Sequence, residues 1–167
     1  MEETIAAWLG GLMDGEGSIM LTNHIAHIKP SKRNPEGNSY WRKRPIVSIA
    51  NCDRALLEAC QQRTGMGRIY RHSRADVVNR KSESFTWRLT ADEQRKILPA
   101  ILPWLITKRE QGELLLEALE IKELLTNATG RSVADRNILC KRRDAIQARI
   151  SELNRRGRYT GEGGDAK

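Results

Sequence analysis

The 167-residue chain has only three cysteines, Cys52, Cys60 and Cys140, an odd number with no C-x-x-C spacing. That argues against a disulfide framework and a four-cysteine zinc site, and points to a reducing intracellular compartment. Its three histidines are scattered, and no Ser-His-Asp or Cys-His arrangement is apparent. His24 and His27, three apart, fall on opposite faces of a strand with no third ligand near, a poor zinc site. No apolar run approaches the ~20 residues of a membrane span. Met1-Glu2-Glu3 lacks the basic start and apolar middle of a signal peptide. Neither a membrane partner nor a small-molecule cofactor is expected.

What is present reads as one globular domain over 1–156, with a Gly-rich tail over 157–167 expected to be disordered. A chain of this length buries roughly 70% of its unfolded surface, enough for a core without staples. Net charge is +8 and the pI is about 9.8. Residues 24–88 hold 14 Lys/Arg against 5 Asp/Glu, whereas residues 1–23 and 109–130 are acidic. A cationic excess concentrated in one stretch is the footprint of a polyanionic partner.

Helical spacing of Ile5, Trp8, Leu9, Leu12 and Met13 predicts a helix over 4–14, with Thr4 as N-cap and Gly15 and Gly17 as its stop. Alternation then predicts a strand with Ile19, Leu21 and Ile25 on one face and Met20, Thr22 and His24 on the other. Lys29 to Asn38 reads as a loop. A second strand turns Val47 and Ile49 inward and Arg42, Arg44 and Ser48 outward; Pro45 implies an edge position or a distortion. A helix over 53–64 carries Leu56, Leu57 and Cys60, and Gly65-Met66-Gly67 ends it. A third strand exposes Arg68, Tyr70 and His72. A fourth exposes Ser84, Thr86 and Arg88 and buries Phe85, Trp87 and Leu89. Asp92 caps a helix through Leu102, which Pro103 interrupts. Helices over 106–126 and 132–155 follow. Their apolar stripes are Leu114, Ala118, Ile121 and Leu125, then Leu139, Ile146, Ile150 and Leu153.

This order predicts an α+β layer architecture, with helices on the apolar face of the strands. The other face carries Arg42, Arg44, Arg68 and Arg88 without one acid, where an ordinary solvated face would mix signs. Strand ribbons of this kind enter a DNA major groove.

The informative stretch is Trp8-Leu9-Gly10-Gly11-Leu12-Met13-Asp14-Gly15-Glu16-Gly17-Ser18. Each glycine inside a helix costs roughly 1 kcal/mol relative to Ala. Close approach of another helix is the usual offset for Gly10 and Gly11. Ala6 and Gly10, like Ala7 and Gly11, are four apart and make a small-residue stripe. Asp14 and Glu16 stand at the negative end of the helix dipole, where carboxylates need a cation. Gly15 and Gly17 leave that space open and their carbonyls available. Oxygen ligands favour Mg²⁺ or another hard divalent ion. A plain Asp-Gly helix stop is the bland alternative.

Residues 9–17, L-G-G-L-M-D-G-E-G, resemble the nine-residue motif of the LAGLIDADG homing endonucleases, departing from it at Gly10, Met13, Gly15 and Glu16. The predicted order of elements is similar to that family's αββαββα fold with a saddle-shaped antiparallel sheet, over about residues 4–125, with 131–158 as an extension. The resemblance implies a metal-dependent double-strand break in a pseudo-palindromic DNA site. A single motif copy implies a homodimer, with two motif helices packed at the twofold and Trp8, Gly10, Gly11 and Asp14 at the interface. Asp14 could equally hold the helix end. Glu16 matches the catalytic metal-binding acid, the Gly15 carbonyl a further ligand, and Mg²⁺ (or Mn²⁺ or Ca²⁺) the cofactor. Lys108, in Pro103-Trp104-Leu105-Ile106-Thr107-Lys108, matches the basic residue beside the active site. The polar residue that organises solvent falls on Ile49, with Asp53 for a nearby basic residue. Neither suits, and Asn51, Arg54 or Ser48 could substitute.

Outward Thr22, His24, Arg42, Arg44, Ser48, Arg68, Tyr70, His72, Thr86 and Arg88 are candidate base contacts. Loop residues Lys32, Arg33, Arg74, Arg80 and Lys81 are candidate phosphate contacts. Lys141-Arg142-Arg143 is either a solvated helix face or a further phosphate contact. Three alternatives remain at this point: a LAGLIDADG-like RNA-splicing maturase, a DNA-binding protein without cleavage, and a generic basic scaffold.

Overall fold

Alternating apolar residues build a four-stranded antiparallel sheet whose one face is covered by helices. The computed structural model describes residues 1–28, 30, 35–36, 38–73, 83–127 and 132–156. The chain runs α1 (Glu3–Glu16), β1 (Gly17–Ile28), β2 (Asn38–Asn51), α2 (Arg54–Thr64), β3 (Arg68–Ser73), β4 (Ser84–Arg88), α3 (Ala91–Ile101), a 3₁₀ turn (Leu102–Trp104), α4 (Arg109–Thr126) and α5 (Val133–Arg156). Sheet order is β1-β2-β4-β3, each neighbouring pair antiparallel. This is the expected α+β architecture with an open sheet. No described helix is long and apolar enough to cross a membrane, and the three cysteines are free.

Leu9 and Met13 of α1, Ile19 and Leu21 of β1, Val47 and Ile49 of β2, and Trp87 of β4 meet Ile97, Leu98 and Leu115 in one core. Trp87 is fully buried and keeps its indole N–H satisfied on the Met66 carbonyl at 3.0 Å. The C-terminal α5 closes the layer through Ile146 and Ile150. Asn154 Nδ2 donates to the Ile19 carbonyl (3.1 Å), and Arg142 forks onto Glu117 at 2.5 and 2.7 Å.

Several boundaries differ from the expectation. Glu2, not Thr4, occupies the N-cap of α1, and α1 continues through Gly15 to Glu16. Gly17 ends it, because a Cβ there would press on Met13 Sδ and sit 2.6 Å from the Met13 carbonyl oxygen. Thr90, not Asp92, caps α3, completing a capping box with Glu93. Helix α3 stops at Ile101, before the 3₁₀ turn. Helix α4 starts at Arg109 rather than 106, because the N–H groups of residues 106–108 turn toward Asp14. Its core stripe runs through Leu115, Ala118, Leu119 and Ile121; Leu114 and Leu125 are half-buried. Inward alternation of β1 ends after Leu21. Ile25 is 40% exposed opposite Trp41, where the β1–β2 hairpin has run past the core.

Pro45 is accommodated by a local edge. Strand β4 pairs with β2 only from Ser48 to Asn51. Beyond that, β2 meets single groups: Lys43 O accepts from Arg143 Nη2 (3.5 Å), Pro45 O from Gln94 Nε2 (3.4 Å) and Val47 O from the Leu89 N–H (3.1 Å). A strand residue directs its N–H and C=O to the same side. The N–H that Pro45 lacks would therefore face a side where no strand asks for it.

Two contacts seat α1. A Cβ on Gly10 would lie 2.6 Å from Trp104 Cβ, so this glycine lets the 3₁₀ turn of its own chain lie against the helix. Asp14 gathers four donors from the segment before α4: the N–H groups of Ile106 (2.5 Å), Thr107 (3.1 Å) and Lys108 (2.9 Å), and the Thr107 hydroxyl (3.0 Å). Burial works to raise this carboxyl, but the hydrogen bonds outweigh it and hold the pKa below the usual aspartate value.

Gly10→Ala should therefore destabilise the chain by about 1–3 kcal/mol in urea unfolding, despite alanine's better helix propensity. Asp14→Asn should lower stability at neutral pH. Because the folded pKa is depressed, the aspartate's contribution exists above the unfolded value and fades as pH falls through the folded one. The gap between wild type and variant should close between about pH 5 and about pH 2, measured by urea titration at each pH.

Candidate metal centre and nucleic-acid interface

The C-terminus of α1 is the chemical focus. Its last four carbonyls have no partner within the helix. The Met13 carbonyl takes the Gly17 N–H and Lys108 Nζ (3.0 Å), and Lys108 Nζ also donates to the Asp14 carbonyl. A cation thus sits on the negative end of the helix dipole. Burial lowers the Lys108 pKa from its ordinary value, opposed by the charges of Asp14 and Glu16. Lys108 and Asp14 therefore lock each other, each satisfying the backbone that carries the other.

Glu16 is exposed at the last position of α1 and has no hydrogen bond or ion pair among the described residues. Gly15 is exposed, with nothing within 4 Å of a would-be Cβ. A free carboxylate and an open helix-end carbonyl are hard oxygen donors, the chemistry a Mg²⁺-class ion takes. They fit such an ion as part of its shell. No group of three His, Cys, Asp or Glu side chains lies together among the described residues, so one chain supplies only that part.

Of the residues assigned to a subunit interface, Gly11 is exposed with open space around it, whereas Gly10 is buried against Trp104. Trp8 is half-buried, packing on the core under the Arg63 guanidinium, 4.9 Å from its ring centroid. Asp14 spends its oxygens within the chain.

Two residues after Glu16 the open sheet face begins. Pairing places Ser18, Ser48, Arg88 and Arg68 in one row across four strands. Ala50, Thr86 and Tyr70 make the row on one side of it. On the other side come the pairs Met20–Ile46, Thr22–Arg44 and His24–Arg42. No carboxylate belongs to these rows. Arg88 lies over the Tyr70 ring (5.9 Å), its Nε buried without a partner. Ser48 and Thr86 are each 7% exposed, short side chains between taller neighbours. The Thr22 hydroxyl leans on the Arg44 carbonyl (3.4 Å). His24 shares this face, while His27 pairs with the Ser39 hydroxyl (2.8 Å).

The His72 side chain and Lys32, Arg33, Arg74, Arg80 and Lys81 lie outside the described residues, as does 157–167. Ile49 is fully buried in the core, and Asp53 caps α2 by accepting from the Ala55 N–H (2.9 Å). Asn51 caps the Asp53 N–H (2.8 Å), and Arg54 pairs with Glu58 (2.8 Å). Of the three suggested substitutes, only Ser48 stands on the open face. Arg142 is committed to Glu117 and Arg143 reaches the Lys43 carbonyl, leaving Lys141 as the freely exposed member of that run. Ser18 joins this face one pleat before Met20 in the β1 alternation.

No protein-family model matches the chain, and no curated protein matches it in sequence. Solved structures do. The homing endonuclease I-CvuI in complex with its target in the presence of calcium is 15% identical, with 99% of this chain and 87% of that chain covered at a TM-score of 0.63. A second I-CvuI complex contains magnesium and uncleaved DNA. The archaeal intron-encoded homing endonuclease I-Vdi141I, complexed with DNA, is 20% identical over 92% and 99% of the chains, TM-score 0.53. The LAGLIDADG homing endonuclease I-GzeII, in complex with its DNA target, is 17% identical over 97% of this chain and 52% of that one, TM-score 0.62. Motif, order of elements and sheet topology agree: this chain has the LAGLIDADG homing-endonuclease fold.

Proposed function

We propose that this chain is a site-specific DNA endonuclease, acting as a homodimer on a pseudo-palindromic duplex with a hard divalent ion. The observation that carries this reading is a free carboxylate at a lysine-capped helix end, two residues from an acid-free sheet face bearing four arginines. The likeness to endonucleases solved on DNA, with calcium or magnesium present, supports it.

The homodimer reading rests on α1. Thr4, Ala7, Gly11 and Gly15 share a helical stripe with no large side chain, and Ile106, 87% exposed, lies beside its Asp14 end. Two copies of this face can pack backbone to backbone. That packing brings two Glu16 carboxylates together and supplies the donors that a single chain lacks.

The roles we assign divide between the strands, the loops and the end of α1. The β1–β2 ribbon has the dimensions to enter a major groove. Arg42, Arg44, Arg68 and Arg88 suit guanine edges, and Thr22, His24, Ser48, Tyr70, His72 and Thr86 supply further base or water-mediated contacts. Lys32, Arg33, Arg74, Arg80 and Lys81 hold phosphates. Glu16 and the Gly15 carbonyl would hold the ion, which when bound supplies Lewis acidity to the scissile phosphate and to water. Hydrolysis adds the oxygen of water to phosphorus and expels the 3′ oxygen. The Lys108 ammonium, pinned to α1, meets the charge that develops.

Selection of cleavable sites from a randomised DNA pool with Mg²⁺ tests activity, symmetry and specificity together. A protein that enriches sites by binding and never cuts them would be a binding protein instead. Glu16→Gln should abolish cleavage and leave affinity for the selected duplex essentially unchanged; equal loss of both would make the acid structural. Gly11→Leu should halve the solution mass measured by light scattering without unfolding the chain. An unchanged two-subunit mass would refute the α1 interface.

A further inference from the structure

Past the edge of the core, the outer half of β2 leans over α4 and α5, and a pocket of about 480 Å³ opens between them. Its aromatic members are unusually bare: Trp41 is 69% exposed and Tyr40 47%. Arg42, Lys43, Lys122 and Arg143 line it with positive charge. The one acid, Asp144, is held by Lys43 at 2.7 Å. Lys122 has no ion pair among the described residues. Arg143 reaches the Lys43 carbonyl at 3.5 Å with Nη2, while its Nε is buried without a partner. Trp41 and Lys43 have the opposite pleat phase to Arg42 and Arg44, and the pocket wraps the margin of β2 from Tyr40 to Lys43, so Arg42 borders both it and the open arginine face.

An exposed tryptophan among cations has a specific chemical use. Paired bases are already stacked on one another and cannot cover it. Unpaired bases can, with cations tracking the phosphates beside them. We infer that this pocket binds unpaired nucleotides of a single-stranded nucleic acid, with a base stacked on Trp41 and phosphates held by Lys122 and Arg143. The inference goes beyond the endonuclease reading, on a pocket that adjoins the open face and shares Arg42 with it.

The test is fluorescence anisotropy at low salt with three labelled probes: oligouridylate, oligothymidylate and a mixed-sequence duplex. The wild type should bind at least one single strand, the uridylate and thymidylate arms telling RNA from DNA. Trp41→Ala should weaken that binding by about tenfold, and Trp41→Phe, which keeps a ring, should largely restore it. Lys122→Glu should weaken it as well, giving a second reading that leaves Trp41 intact. Duplex binding should move by less than about twofold in Trp41→Ala, because the substitution removes no cation and none of the side chains assigned to duplex bases or phosphates. Wild-type protein that binds neither single strand, or Trp41→Ala that weakens single strand and duplex alike, overturns the inference. Wild-type protein that binds a single strand but no duplex supports it, and strikes the endonuclease reading instead.

Discussion

One carboxylate fastens the motif helix to the rest of the molecule. Asp14 receives three backbone N–H groups and a hydroxyl from the segment that leads into α4. Lys108, at the end of that segment, returns its ammonium to the carbonyls of Met13 and Asp14. Hydrogen bonds with a charged partner are roughly twice as strong as neutral ones, and this exchange has them in both directions. Its effect is positional. Glu16 lies two residues beyond Asp14 and two before Ser18 of the sheet face, and its charge acts on Lys108.

The paired glycines of the motif divide their labour. Gly10 faces inward and admits Trp104 of the same chain, while Gly11 faces solvent with room for a second helix. Adjacent residues on a helix point about 100° apart, so a double glycine faces two different surroundings rather than one broad interface. Intrachain packing accounts for one of the two helix-interior glycines, and the other stands open to solvent.

Much of this was legible in the residues. Period-two alternation located all four strands and the face of each, because a sheet with one buried side leaves that trace. The D-G-E-G end of α1 was legible as a place needing a cation. The family resemblance, and not any local pattern, pointed to Lys108; that its ammonium reaches back over 95 residues to the Met13 carbonyl is a tertiary fact. Helix starts were misplaced for one local and one tertiary reason. Thr90 competes with Asp92 through a capping box closed by Glu93, and α4 begins late because Asp14 draws off the preceding N–H groups. Ile25 looked like core because alternation says which face a residue is on, but not whether anything covers that face.

The covered margin of β2 has a consequence for how the molecule lives among its copies. Fourteen residues of extended chain, part of it flanked by a neighbour on one side only, would ordinarily invite a foreign strand to zip on. Here a glutamine amide, a guanidinium and a lone loop N–H already occupy those acceptors, and an imino acid removes a donor from the middle. From Lys43 to Val47 the margin of β2 can therefore stand without a fifth strand and still offer a stray chain no free ladder.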